Sequence, residues 1–348
     1  MEHRFLGRSG LMVSVVGLGC DNFGHRCDPS ASAAIVQKAL DLGITFFDTA
    51  DIYGPHGRSE EYLGKALKGR RDDAIIATKF VGPTGQGPLW MGTSRRYILH
   101  AVEASLRRLG TDYIDLYQLH FPFPGVPMEE TLRALDDLVH QGKVRYVGSC
   151  NFAAWQLVDA SWIARTQHLS PFISTQHPYN LLDRQIEHEL LPACLEHGIG
   201  LLPYFPLASG FLTGKYRPGG RRPDGARLAD GSPKTDTLTG QPDAIVRRVR
   251  PELVRWLTEE SIFNEPNYEI LDELTAFAEA RGHSVLELAI AWLAGQPGVG
   301  SVLVGATSSE QLEQNARAVD WHLTAEELAE VAEITVSSLA LRPVPTTV

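Results

Sequence analysis

Thr45-Phe46-Phe47-Asp48-Thr49-Ala50-Asp51-Ile52-Tyr53-Gly54 is the stretch whose reading decides the fold. Its first residues are β-branched or aromatic, as suits a short buried strand, and the chain then turns at once to two carboxylates, a tyrosine and a glycine. A strand that stops in ionisable groups is a candidate site. On either side the spacing predicts helix. Ser30–Leu42 puts Ile35, Ala39 and Leu42 on one face with Gly43 just past its end, and a second helix falls near Ser59–Leu67.

The alternation continues in both directions. Upstream, Gly7-Arg8-Ser9-Gly10 signals a hairpin between two short strands, and Val13 to Gly19 reads as an apolar strand ending in glycines. Downstream, strands are predicted at Ala74–Lys79, Tyr113–Leu119, Val144–Ser149, Phe172–Gln176, Ile199–Tyr204 and Ser301–Val304. Helices are predicted at Ser94–Leu109, Met128–Gln141, Ala153–Thr166, Arg184–His197, Tyr268–Arg281, Val285–Ala294, near Ser309–Val319, and at Thr324–Ser337. The strands are rich in Val, Ile and Leu with little polar alternation, as in parallel sheets covered by helices. Eight such βα units imply an α/β chain folded as a (β/α)8 TIM barrel, with an N-terminal hairpin capping the bottom and an extra C-terminal helix. A doubly wound fold would carry a phosphate-binding glycine fingerprint after its first strand, but Gly17-Leu18-Gly19-Cys20-Asp21-Asn22 has Asn22 where the third glycine belongs. Regularity breaks between Pro206 and Asn267, a long loop after the seventh strand that holds an Arg-rich turn (Arg217, Arg221, Arg222) and a predicted helix Glu252–Glu260. A loop of that length in a barrel reads as a lid. No internal boundary is needed, so residues 1–348 are expected to form one domain ending in a short tail from Leu341.

Composition narrows the class. The chain has 348 residues, 43% hydrophobic and 21% charged, within the ordinary globular range. Its net charge of −10 argues against nucleic acid or an anionic membrane surface as partner. Cys20, Cys27, Cys150 and Cys194 lack CxxC spacing, which indicates neither a zinc site nor a disulfide framework, and no metal site is expected. The N-terminus has no apolar signal core and no run approaches a membrane span, so a cytoplasmic protein is expected.

The polar residues fall at the strand ends. Asp48 ends the second barrel strand, Lys79 the third, His120 follows the fourth, Asn151 the fifth, Gln176 ends the sixth and Tyr204 the seventh, while Gly305-Ala306-Thr307 follows the eighth. All belong to the C-terminal mouth, where the active sites of such barrels lie. The phenol of Tyr53 is a weak acid able to protonate a developing alkoxide if a cation stabilises the phenolate. Lys79 is placed to be that cation, Asp48 to pair with it, and His120 to hydrogen-bond a substrate carbonyl. None of these groups donates hydride, so a cofactor has to supply the reducing equivalent.

With these motifs in place, the chain resembles the aldo-keto reductase family. The resemblance is carried by Phe47-Asp48-Thr49-Ala50-Asp51-Ile52-Tyr53-Gly54, by Ala77-Thr78-Lys79-Phe80, by Arg107 to His120 and by Pro206 to Tyr216. It implies NADPH-dependent reduction of an aldehyde or ketone, with a tetrad of Asp48, Tyr53, Lys79 and His120 and Tyr53 as proton donor. It also implies that Asn151 and Gln176 hold the nicotinamide carboxamide beside Cys150 and that Tyr204 stacks on the ring. Phe205, Pro206, Leu207, Ser209 and Lys215 would run along the pyrophosphate, with Arg227 reaching the phosphates from the lid. Gly305, Thr307, Gln311, Gln314 and Asn315 match the family's adenosine-phosphate segment.

Three departures stand out. Cys150 replaces the usual serine, and a thiol is the poorer hydrogen-bonding group. Gln314 replaces a commoner glutamate. Residues 307–311 hold no Lys or Arg, so a preference for NADPH over NADH rests on Lys215, Arg227 and Thr307. The loops after the first, third and fourth strands offer Phe23, Trp90, Met91, Phe121 and Phe123 as an aromatic substrate wall, suited to bulky small-molecule carbonyls. Another reading is a regulatory NADP-binding subunit similar to potassium-channel β subunits, which share the barrel. Asp51 has no place in the tetrad and is read as a turn or capping residue.

Overall fold

The computed structural model describes residues 1–85, 87–220 and 262–340. His3–Phe5 (β1) and Met12–Ser14 (β2) form the antiparallel hairpin, with Arg4 opposite Val13. Eight parallel strands follow in one sheet: β3 Val16–Gly19, β4 Phe46–Asp48, β5 Ile75–Phe80, β6 Ile114–Leu119, β7 Val144–Cys150, β8 Phe172–Pro178, β9 Gly200–Tyr204 and β10 Val302–Gly305. Their order is β10-β3-β4-β5-β6-β7-β8-β9. The two edges are drawn together where Leu201 N–H donates to Gly298 O at 2.8 Å and Gly300 N–H donates to Leu201 O at 2.9 Å. The chain therefore forms the predicted (β/α)8 barrel.

The described helices are α1 Pro29–Asp41, α2 Arg58–Ala66, α3 Arg95–Leu109, α4 Met128–His140, α5 Ala154–Gln167, α6 Leu190–His197, α7 Glu265–Glu279, α8 Val285–Gly295, α9 Ser309–Arg317 and α10 Ala325–Ala340. Their ends follow local chemistry. Asp28 caps α1 by accepting from Ala31 N–H at 2.8 Å, and Pro29 sits where a missing N–H costs nothing, so the helix begins just ahead of the predicted Ser30. Ser94 caps α3, and Gly110 ends it in the left-handed region at φ 64°. One prediction needs correction: Arg184–His197 is not a continuous helix. Gln185–Glu187 forms a 3-10 turn, Glu189 leaves helical geometry (φ −135°, ψ −47°), and α6 starts only at Leu190. Pro192 explains the break, because its ring would clash with the carbonyl one turn earlier in a continuous helix but is tolerated in a first turn. The predicted helix Glu252–Glu260 and the tail from Leu341 lie outside the described residues.

Two apolar layers hold the barrel. The larger lies between strands and helices and includes Phe47, Ile76, Tyr117, Val147 and Leu201. The smaller fills the interior with Phe46, Ala77, Leu116, Leu202 and Leu303, and the hairpin plugs it from below with Leu6, Leu11 and Val13. The plug fits tightly: a Cβ on Gly7, which has φ 58°, would lie 2.5 Å from Gly198 O. Side chains alternate across a strand, so the residues two places beyond Phe46, Ala77 and Leu116 also face inward, one layer higher. Those residues are Asp48, Lys79 and Gln118. No helix among the described residues is long and apolar enough to cross a membrane.

Candidate active site

The upper interior layer is polar and closely bonded. Lys79, fully buried on β5, donates from Nζ to Asp48 Oδ1 at 2.5 Å, to Thr49 O at 3.0 Å and to Tyr53 Oη at 3.2 Å. The ammonium also lies 4.7 Å from the centroid of the Tyr53 ring. Asp48 Oδ2 accepts from Gln118 Nε2 at 3.0 Å and from Gln176 Nε2 at 2.9 Å. The carboxylate thus has donors on both oxygens, as a buried charge requires. Gln118 was missed in the sequence, although a polar residue in the strand Ile114–Leu119 in step with the inward-facing Leu116 is the signal that marks it.

His120 stands at the end of β6. Its ring meets the Tyr53 ring edge-on, with centroids 5.7 Å apart, and stacks on Phe121 at 4.3 Å and 9°. Burial, reinforced by the nearby Lys79 charge, pushes its pKa well below the usual imidazole range, which leaves the ring neutral. Its Nδ1 has no hydrogen-bond partner among the described residues.

A cavity of about 700 Å³ opens above this layer, within the range of small-molecule sites. Asp48, Tyr53 and His120 reach its wall, while Lys79 lies beneath them. Cys150, Asn151, Gln176 and Tyr204 also line it, at the ends of β7, β8 and β9. Asn151 takes a left-handed backbone (φ 62°); its Nδ2 donates to His120 O at 3.1 Å and its Oδ1 accepts from Tyr204 Oη at 2.7 Å. The Cys150 thiol accepts from Asn151 Nδ2 at 3.1 Å and lies 3.8 Å from Gln176 Oε1.

Past β9, Phe205, Pro206, Leu207, Ser209 and Lys215 line the next part of the wall. Phe205, Ala208, Ser209 and Gly210 all have positive φ, and the tight turn they form is closed by Ala208 N–H donating to Phe205 O at 3.0 Å and Gly210 N–H to Leu207 O at 2.8 Å. A Cβ on Gly210 would come within 3.0 Å of Lys215 Nζ, so glycine leaves the ammonium its room. Burial, and then the Arg26 guanidinium, lower the Lys215 pKa. The far end is formed by Gly305, Thr307, Gln311, Gln314 and Asn315. Gln311 Oε1 accepts from Thr307 N–H and Oγ1 at 2.9 and 3.0 Å. Arg227 lies outside the described residues, as do Arg221 and Arg222.

The loop after β3 adds Asn22 and Arg26 to this wall, neither of which the sequence singled out for it. Asn22 Nδ2 donates to Ala306 O at 3.3 Å and its carbonyl accepts from the N–H groups of His25, Arg26 and Cys27, which shapes the loop that presents Arg26. The expected aromatic substrate wall is not on this cavity. Phe23 is fully buried between barrel and helices, Phe121 is 2% exposed behind His120, Phe123 packs half-buried, and Trp90 meets His100 edge-on at 4.9 Å beside Met91.

Asp51 lies in the turn that follows β4, as read from the sequence. Thr49 and Asp51 extend the β4 ladder by donating to Ala77 O and Lys79 O at 2.9 and 3.1 Å, which puts Asp51 on the face opposite Asp48. It is 2% exposed.

Comparison with known proteins agrees with this architecture. The profile described as the Aldo/keto reductase family matches residues 15–336. A probable voltage-gated potassium channel subunit beta of Arabidopsis thaliana is 36% identical over 326 residues, covering 92% of either chain. L-glyceraldehyde 3-phosphate reductase of Escherichia coli K12 is 36% identical over 92% of this chain and 88% of its own length. Versiconal hemiacetal acetate reductase of Aspergillus parasiticus is 36% identical over 96% of each. With a family match that spans most of the barrel and reductases related along nearly their whole length, the chain belongs to the aldo/keto reductase family of nicotinamide-dependent oxidoreductases.

Proposed function

We propose that the protein reduces an aldehyde or ketone to the alcohol with NADPH, reversibly, and that Tyr53 supplies the proton. The observation that carries this reading is the Lys79 ammonium, 2.5 Å from Asp48 Oδ1 and 3.2 Å from Tyr53 Oη under the 700 Å³ cavity. A cation at that distance stabilises the phenolate left by proton donation, and Asp48 balances its charge out of water. His120, neutral through burial and the Lys79 charge, offers its ring to the substrate carbonyl and so orients it toward Tyr53.

The donor set fits a dinucleotide. The amides of Asn151 and Gln176 and the flat face of Tyr204 suit a nicotinamide, the Lys215 ammonium beside the turn at 205–210 suits a pyrophosphate, and Thr307, Gln311, Gln314 and Asn315 suit an adenosine phosphate. Cys150 contacts both amides. When bound, the reduced nicotinamide supplies hydride to the carbonyl carbon. Lys215, Arg26 and Thr307 favour the form with the extra phosphate, and Arg317 adds a third cation to this wall. The free cysteines, all buried, accord with a reducing cytoplasm.

The test is oxidation of NADPH and of NADH by the purified protein across a panel of aldehydes, ketones and quinones, run beside Tyr53→Phe. The wild type is expected to turn over with NADPH, and the variant to bind NADPH equally well while losing at least about a hundredfold in kcat, the usual scale of a general acid. Near-normal turnover by Tyr53→Phe would remove Tyr53 from the role. Tight nucleotide binding with no turnover on any carbonyl would favour a regulatory nucleotide-binding subunit.

A further inference from the structure

Behind the tetrad, on the outer face of β4 and β5, lies a second buried polar cluster, separate from the cavity wall. Glu60 on α2 is fully buried; its Oε2 accepts from Arg108 Nε of α3 at 2.6 Å and its Oε1 from Thr78 Oγ1 at 2.6 Å. Asp51 is the second carboxyl of this cluster. Lys79, whose backbone carbonyl accepts the Asp51 N–H at 3.1 Å, has its ammonium turned to Asp48 on the other face of the wall. The Arg108 guanidinium is taken by Glu60 and by Ser105 Oγ at 3.2 Å. Asp51 Oδ1 has no partner among the described residues.

The contact of the other oxygen is informative. Asp51 Oδ2 lies 3.4 Å from Tyr97 Oη, and the same hydroxyl lies 2.6 Å from Gly82 O. A phenol has one proton, and a carbonyl can only accept, so the short contact claims that proton. The hydroxyl is then an acceptor toward Asp51, and the pair is satisfied only if the carboxyl carries a proton of its own. An ionised carboxylate here would be buried with one bare oxygen and one oxygen facing a lone pair, an arrangement that costs several kcal/mol on general grounds.

We propose that Asp51 is a neutral carboxylic acid at physiological pH and serves as a positioning residue: its proton bridges to Tyr97 and ties the turn that carries Tyr53 to α3. The turn is short, with Tyr53 N–H bonded to Ala50 O at 3.1 Å, so a tether at Asp51 bears on the Tyr53 phenol two residues on. The groups facing Asp51 are Glu60 from α2, Tyr97 and Arg108 from α3, Lys79 from β5 and Tyr117 from β6, whose own buried hydroxyl has no partner among the described residues. Burial first, and then the like charge of Glu60, push the carboxyl well above the usual range, against smaller opposing effects of Arg108 and Lys79. The protonation of Asp51 stands apart from the proposed reaction. Its positioning role rests on Tyr53 being the proton donor.

Asp51→Asn tests both parts, because asparagine is the uncharged isostere and its amide donates where the acid would. Infrared difference spectra at neutral pH should show a carboxylic-acid C=O band in the wild type that is missing in the variant. The folded acid binds its proton more tightly than the unfolded one, so wild-type stability should fall relative to the variant as pH rises from about 4, the unfolded carboxyl range, toward the folded pKa. Turnover at neutral pH should stay within twofold in Asp51→Asn, while Tyr97→Phe, which removes the acceptor, should lose about tenfold in kcat with nucleotide affinity unchanged. At alkaline pH the wild type should lose turnover that Asp51→Asn retains. Absence of the infrared band, an Asp51→Asn protein that does not fold, or identical stability profiles would overturn the neutral acid. Identical alkaline limbs in the two proteins would overturn the positioning role. A protein with no turnover on any carbonyl would remove that role too, and the infrared and stability measurements would still decide where the proton lies.

Discussion

Asp48 has two oxygens and three side-chain donors, Lys79, Gln118 and Gln176, aimed at them. This satisfaction makes the buried pair tolerable, and it makes the pair vulnerable. Asp48→Asn leaves the Lys79 ammonium buried without a counter-charge and is expected to lower the unfolding free energy by roughly 3–5 kcal/mol in urea titrations. The double change Asp48→Asn, Lys79→Met removes the stranded charge and should recover much of that loss; a double variant no more stable than the single one would contradict the account. His120 allows a second expectation with a definite sign. Its folded pKa is depressed, so the unfolded chain binds more protons below about pH 6.5 and stability falls as pH drops through that value. His120→Phe, which keeps an aromatic ring against Phe121, should flatten this part of the stability profile.

The elements matter through their ends. Asn151 follows β7 with φ 62° and holds the Tyr204 hydroxyl at 2.7 Å, so one residue both turns the chain and fixes the ring at the cavity wall. Asn151→Gly keeps the backbone conformation and removes the acceptor, whereas Asn151→Ala loses both. Nucleotide affinity, measured by fluorescence titration, is expected to weaken in both variants, with an added stability loss of about 1–2 kcal/mol only in the alanine form. Equal stability of the two would mean that the left-handed turn is unstrained for alanine. At α8, Ser284 and Glu287 form a reciprocal capping box, with Ser284 N–H donating to Glu287 Oε2 at 2.7 Å. Ser284→Ala should cost about 1 kcal/mol by thermal unfolding. Both residues also line the cavity, so the cap is part of the wall that the nucleotide would meet.

For the molecule as a whole, the wall joins β3, β4 and β6 to β10 and the start of α8 and α9, and a ligand that spans it ties distant parts of the chain together. A ligand bound only by the folded state adds about 2.7 kcal/mol at a hundredfold excess over its Kd. NADPH is expected to raise the midpoint of thermal unfolding more than NADH at equal concentration, and Lys215→Met to narrow that difference. Equal shifts with both nucleotides would remove the preference for the extra phosphate.

The βα repeat and the strand-end positions of Asp48, Lys79, His120, Asn151, Gln176 and Tyr204 were legible in the sequence because both depend on short-range patterns. Buried parallel strands read as apolar runs, helices as 3.6-residue stripes, and a barrel's polar mouth as the point where an apolar run stops. Asp48 and Asp51 looked alike on that basis. They differ because the β4 ladder continues through Thr49 to Asp51, so alternation sends one carboxylate to the barrel mouth and the other to the helix layer. Pairings such as Asp48 with Gln176, 128 residues apart, and Asp51 with Tyr97, 46 apart, are set by closure of the barrel and by the seat of α3 against it. Local periodicity determined which residues reach the strand ends; only tertiary packing decided which of them share a proton, a charge or a wall, because those contacts join segments whose spacing in the chain says nothing about their distance in space.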